Sequence, residues 1–109
     1  MSNVDLSRII SAETRAAQAL AARAEICKAE CRTRIFAVVD ATAQMNLAAA
    51  AAAGGLDADQ MLAYRDGLDW IAAMRAACQT LIADAGADAG DDAAWPAVPD
   101  GVSALADQF

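Results

Sequence analysis

Apolar positions recur at three-and-four spacing through two long stretches of this chain. The clearer stretch covers residues 56–82, LDADQMLAYRDGLDWIAAMRAACQTLI. Met61, Tyr64, Leu68, Ile71, Cys78 and Leu81 form one helical face, which Trp70, Met74 and Ala77 widen on one side. Asp57 stands as an N-cap, and Gln60 three residues later completes a capping box. Leu56 and Met61 occupy the two positions of a hydrophobic staple. The pattern predicts an amphipathic helix from Ala58 to about Ala83, stopped by Asp84, Ala85 and Gly86. Gly67 lies inside it at a cost of roughly 1 kcal/mol relative to alanine. That glycine either admits another helix backbone at close range or is a tolerated weakness.

The second patterned stretch comes earlier. Ala16, Leu20, Ala24, Cys27, Cys31, Ile35 and Val38 follow helical spacing, while Arg15, Arg23, Lys28, Arg32 and Arg34 mostly fall on other faces. Ser11 is a suitable N-cap, with Glu13 in the first turn where the helix dipole favours an anion. A helix over residues 12–39 is predicted. Val38-Val39-Asp40 then joins β-branched side chains to a second possible cap, which favours a kink or break there over a continuous helix. A further helical piece reaches Ala53, and Gly54-Gly55 stops it. Residues 1–10 read as a short polar lead, anchored by Val4, Leu6, Ile9 and Ile10 as an extended segment or an extra helical turn.

Beyond the central helix the pattern dissolves. ADAGADAGDDAA is a small-residue acidic linker with little to bury. In the closing WPAVPDGVSALADQF, Trp95, Val98, Val102, Leu105 and Phe109 are apolar anchors, and Pro96 and Pro99 stiffen the backbone. Asp100 is placed to cap a short last helix over residues 102–107. The chain thus divides into a lead (1–10), a helical hairpin or bundle (11–86), and an acidic linker with a docking tail (87–109). The fold class is all-α: an antiparallel helical hairpin or small bundle with an extended C-terminal docking tail.

Composition adds two points. With 109 residues and abundant alanine, the chain has high helix propensity and a thin core. The net charge of −7 disfavours nucleic acid. Through Leu56 there are six basic and five acidic residues; from Asp57 onward there are two and ten. The acidic half serves solubility, or meets a basic partner. No secretory signal is visible, and the alanine run before Gly54 is too short and too weakly apolar to span a bilayer, so no membrane partner is expected.

The chain has no histidine, which removes Ser-His-Asp and Cys-His catalysis and most zinc hydrolase sites. No phosphate-binding glycine motif occurs. Cys27, Cys31 and Cys78, even with Glu30, lack the paired spacing of a metal centre, and buried cysteine packs as a small apolar residue. Asp57-Asp59 and Asp88-Asp91-Asp92 lack the alternation of an EF-hand loop. No metal is expected, and nothing in the sequence forces a pair of carboxylates into the dry pocket that acid–base catalysis requires. The candidate contact residues are Trp70, Met74, Trp95, Val98, Val102, Leu105 and Phe109, binding a partner in trans or closing the thin core in cis.

The order of features resembles small helical tail proteins of bacteriophages and prophages. The matching segments are ECRTRIFAVVDATAQMNLAAAAAAG, WIAAMRAACQTLI and DDAAWPAVPDGV. Within them lie Arg34-Ile35, the helical turn of Gln44, Met45 and Asn46, and the later set Trp70, Ile71 and Arg75. Val38-Val39-Asp40 stands where tail-fibre relatives carry an aromatic-proline break. The resemblance implies a non-enzymatic virion tail component with no cofactor, made in the host cytoplasm, that contacts fibre or baseplate proteins or copies of itself. Its alternative is a transient tail-fibre assembly chaperone. A metal- or redox-active helical protein is the third class.

Overall fold

The computed structural model describes the backbone from Asn3 to Phe109, and the side chains of Leu6, Arg8, Ile9 and residues 11–109. Four α-helices and one 3-10 turn, with no strand among the described residues, make an all-α fold. They are α1 (Asn3–Val38), α2 (Ala41–Ala52), α3 (Ala58–Ala83) and α4 (Val102–Ala106), with the 3-10 turn at Asp92–Ala94.

Helix α1 overruns its expected start. Ser11 is no cap; the helix passes through it, and its carbonyl accepts a bond from Arg15 Nε at 3.4 Å. The expected lead is therefore helical from Asn3. The physical reason is that no glycine or proline interrupts the chain before Gly54. Of the anchors expected there, the side chains of Val4 and Ile10 lie outside the described residues.

The break near Asp40 is real. Asp40 adopts an extended conformation, and its carboxylate accepts from Ala43 N–H at 2.8 Å. Gln44 Nε2 donates to the Val39 carbonyl at 3.0 Å, so the end of α1 is also served. The chain turns by 61° between α1 and α2. At the far end of α2, Gly54 takes φ of 72°, with Gly54 N–H on Ala51 O and Gly55 N–H on Ala50 O, a Schellman ending. The capping box of α3 forms in both directions: Gln60 N–H donates to Asp57 Oδ1 at 2.8 Å and Asp57 N–H to Gln60 Oε1 at 2.9 Å.

Helices α1 and α3 pack antiparallel. Arg23 Nε reaches the Ile82 carbonyl at 3.3 Å, near the end of α3, while Cys31 lies against Met74. Because α2 bends away, α1 and not α2 is the main partner of α3. The space left between them is filled by α4, whose Val102, Leu105 and Ala106 are buried. One core results, centred on Met74 at 1% exposure. The molecule is a rod of 71 × 27 × 16 Å. Among the described residues no single helix is long and apolar enough to cross a membrane.

Two corrections concern the end of the chain. Asp100 does not cap α4; Gly101 takes that place with φ of 87°, so the backbone turns without a side-chain bond. The acidic linker is built rather than loose. Asp84 accepts from Gly86 N–H, Asp88 from Gly90 N–H and Asp91 from Ala93 N–H, at 2.9–3.0 Å, giving successive Asx turns.

Gly67 faces Val102, not another backbone. A Cβ there would lie 3.5 Å from Val102 Cγ1, an ordinary contact. Gly67→Ala is therefore expected to stabilise the fold by about 0.5–1 kcal/mol through helix propensity; a lowered urea midpoint would mean that Val102 cannot accommodate the methyl. Asp57→Ala should cost about 0.5–2 kcal/mol, read in the same unfolding experiment.

Candidate functional site

The tail is held down by its own tryptophans. Trp95 is buried, and its indole N–H donates to the Ala89 carbonyl at 2.8 Å. Trp70, buried on α3, donates to the Pro96 carbonyl at 3.1 Å. Each indole thus buries a large apolar surface while its polar edge fixes the loop backbone. Arg34 ties α1 to the same loop. It bonds Glu30 at 2.8 Å, Asp92 at 2.9 Å and the Gly90 carbonyl at 3.3 Å, with its guanidinium 5.7 Å from the Trp95 ring centre. Asp92 is open to solvent, so its ion pair contributes little; packing on Trp95 contributes more.

In this fold most of the expected contact residues pack in cis. Trp70, Met74, Trp95, Val102 and Leu105 lie in the chain's own core and present no surface to a partner in this fold. Val98 and Phe109, at 37% and 36% exposure, remain at the surface. The alternation of Asp-x-Gly at 84–86 and 88–90 was the signal that the linker is a staircase of turns delivering Trp95 to the core.

The exposed apolar surface lies elsewhere, at positions the expected contacts omit. Residues 11–22 of α1 are all exposed, because α3 ends alongside Arg23. Leu6, Ile9 and Leu20 on this arm are each about half exposed. The arm continues the stripe of Ala24, Cys27 and Cys31 past the point where anything covers it.

The three thiols lie in the seam between α1 and α3, all buried and none in a disulfide. Burial pushes the Cys31 thiol up, and the neighbouring Cys78 adds to the shift, while Arg75 and Arg32 partly offset it. Cys78 is likewise raised, first by burial and then by Cys27. Cys31 has one S–H to share between the Met74 carbonyl, at 3.7 Å, and the Cys78 sulfur. Raised thiols with few thiolates are weak nucleophiles and weak ligands. No group of His, Cys, Asp or Glu is placed to hold a metal among the described residues. Beside the thiols opens a cleft of about 580 Å³, edged by Lys28, Arg32 and Arg75 over Ile35, Phe36 and Ile71.

Comparison of the chain with protein-family models, with curated proteins and with solved structures finds no match in any of the three.

Two outcomes are expected. Trp95→Ala should cost about 3–5 kcal/mol, as buried aromatic truncations do, and lower the melting midpoint followed by circular dichroism. An unchanged midpoint would place Trp95 outside the core. The Cys31 and Cys78 thiols set an alkaline limit. Their folded pKa values exceed the unfolded ones, so the protonated form favours the fold. Their contribution is full below about pH 8.5 and is lost as pH rises through the raised folded values. Cys31→Ala with Cys78→Ala should lower stability by ~1 kcal/mol per site near neutrality and flatten the alkaline decline in urea midpoints.

Proposed function

We propose that this chain is a non-enzymatic structural accessory of a phage tail, attached to fibre or baseplate protein through the N-terminal arm of α1. The observation that carries the attachment role is the uncovered arm, with Leu6, Ile9 and Leu20 half exposed on one side of a rod 71 Å long. Helices in proteins draw most of their stability from tertiary packing, and this arm has none along residues 11–22. A second apolar helix laid along it would supply the missing contacts. The tail-protein setting rests on the segments of sequence resemblance around Arg34-Ile35, Trp70-Ile71 and Trp95-Pro96.

The test uses particles purified from the host that carries the gene. Stoichiometric presence of the chain in intact tails is expected, and Leu6→Ser with Leu20→Ser should remove it from particles while leaving the melting midpoint of the free protein nearly unchanged. Absence of the wild-type chain from purified tails would defeat the structural role.

A further inference from the structure

The cleft beside the thiols carries positive charge that the fold does not use. Lys28 and Arg32 stand one turn apart on α1, and Arg75 faces them from α3. Among the described residues, both ion pairs within 4.0 Å belong to Arg34, and none of these three cations has one. Between them the floor is apolar: Ile35, Ile71 and Phe36, the last 46% exposed. In a chain of net charge −7, this is a local concentration of cations around a hydrophobic floor.

The complementary surface is on the same chain. Asp59, Leu62, Asp66 and Asp69 follow three-and-four spacing along α3 and share one face, with Arg65 as the one cation at its edge, so the face carries a net negative charge. Leu62, in the middle of the aspartates, is 62% exposed. Asp66 and Asp69 also edge a shallow depression against Pro96 and Pro99. Arg75 comes nine residues after Asp66, which at about 100° per residue places it on the opposite side of α3. The two surfaces therefore cannot meet within one molecule.

We propose that the cationic cleft receives the acidic face of α3 from a second copy of this chain. Leu62 enters over Ile35, Phe36 and Ile71, and the flanking aspartates meet Lys28, Arg32 and Arg75. The charge match and the central leucine single out this occupant. Because the two patches are different surfaces on opposite sides of one helix, the contact is heterologous and runs head to tail, so it extends into a ring or a filament. The inference deepens the assembly role proposed above by naming one partner. It rests on that reading only in requiring intermolecular contact, and it uses neither the arm nor any phage component.

Sedimentation of the purified full chain tests it. At low salt the average mass should rise with concentration above the 11.2 kDa monomer, and the rise should disappear at about 1 M NaCl, where charges are screened beyond about 3 Å. Arg32→Glu with Arg75→Glu should abolish association, and so should Asp66→Lys with Asp69→Lys. An equimolar mixture of the two reversed proteins should associate again, since each supplies the surface that the other lacks. Circular dichroism checks that every variant is folded, and Arg32→Gln with Arg75→Gln serves where reversal disturbs the helix. A wild-type chain that stays monomeric at all concentrations overturns the proposal, and leaves the phage-particle test untouched. So does association that survives the cleft reversal, or a mixture of folded reversed proteins that remains monomeric.

Discussion

The carboxylate of Asp40 sets the shape of the molecule. By bonding the Ala43 amide it begins a new helix where α1 would otherwise continue, and the chain turns by 61°. Without that turn, α2 would extend the α1 axis and the rod would have no interior beyond the α1–α3 seam. With it, a wedge opens between α2 and α3. Leu47, Tyr64 and Ile71 line that wedge, and Val102, Leu105 and Ala106 fill most of it, leaving a cleft of about 190 Å³. The tail belongs to the core because the bend makes room for it.

The seam itself is made of modest side chains. Cys27, Cys31 and Cys78 occupy positions where a leucine pair would hold the helices further apart. Small residues bring helix axes close and gain dispersion contacts, though each buries little area. Bulkier side chains flank this seam, with Trp70, Met74 and Trp95 gathered around one cleft beside it. Every buried side-chain nitrogen or oxygen among the described residues has a hydrogen-bond partner. The core is narrow but internally consistent.

Much of this was legible in the chain because local signals were strong. Asp57 with Gln60, Gly54-Gly55 and the step at Val38-Val39-Asp40 each specify a boundary through one turn of backbone chemistry, and each boundary falls where that chemistry puts it. The start of α1 did not, since Ser11 favours a cap only when the preceding residues favour leaving the helix. The contact residues were the harder matter. Periodicity identifies Trp70, Met74 and Leu105 as apolar anchors but does not say which surface they meet, because burial in cis and in trans use the same side chains. The deciding information lay in the Asp-x-Gly turns, whose bonds set the direction of the tail. The uncovered arm could not be read either: Leu6 and Leu20 look like core until the length of α3 is known.

The position of α4 in chain order bears on synthesis. Helices emerge from a ribosome in sequence, and domains ordinarily begin folding from the N-terminal side. Here α1, α2 and α3 all precede the element that fills the wedge between them. A nascent chain that has released α3 still shows water the flanks of Leu47, Tyr64 and Ile71. Closure waits for residues that contact partners more than sixty positions earlier, as Ala106 does with the neighbourhood of Val39. Such long-range closure is slow relative to helix formation. The fold is thus completed only by its last-made element, and its half-made form is an open, sticky hairpin during the interval before α4 arrives.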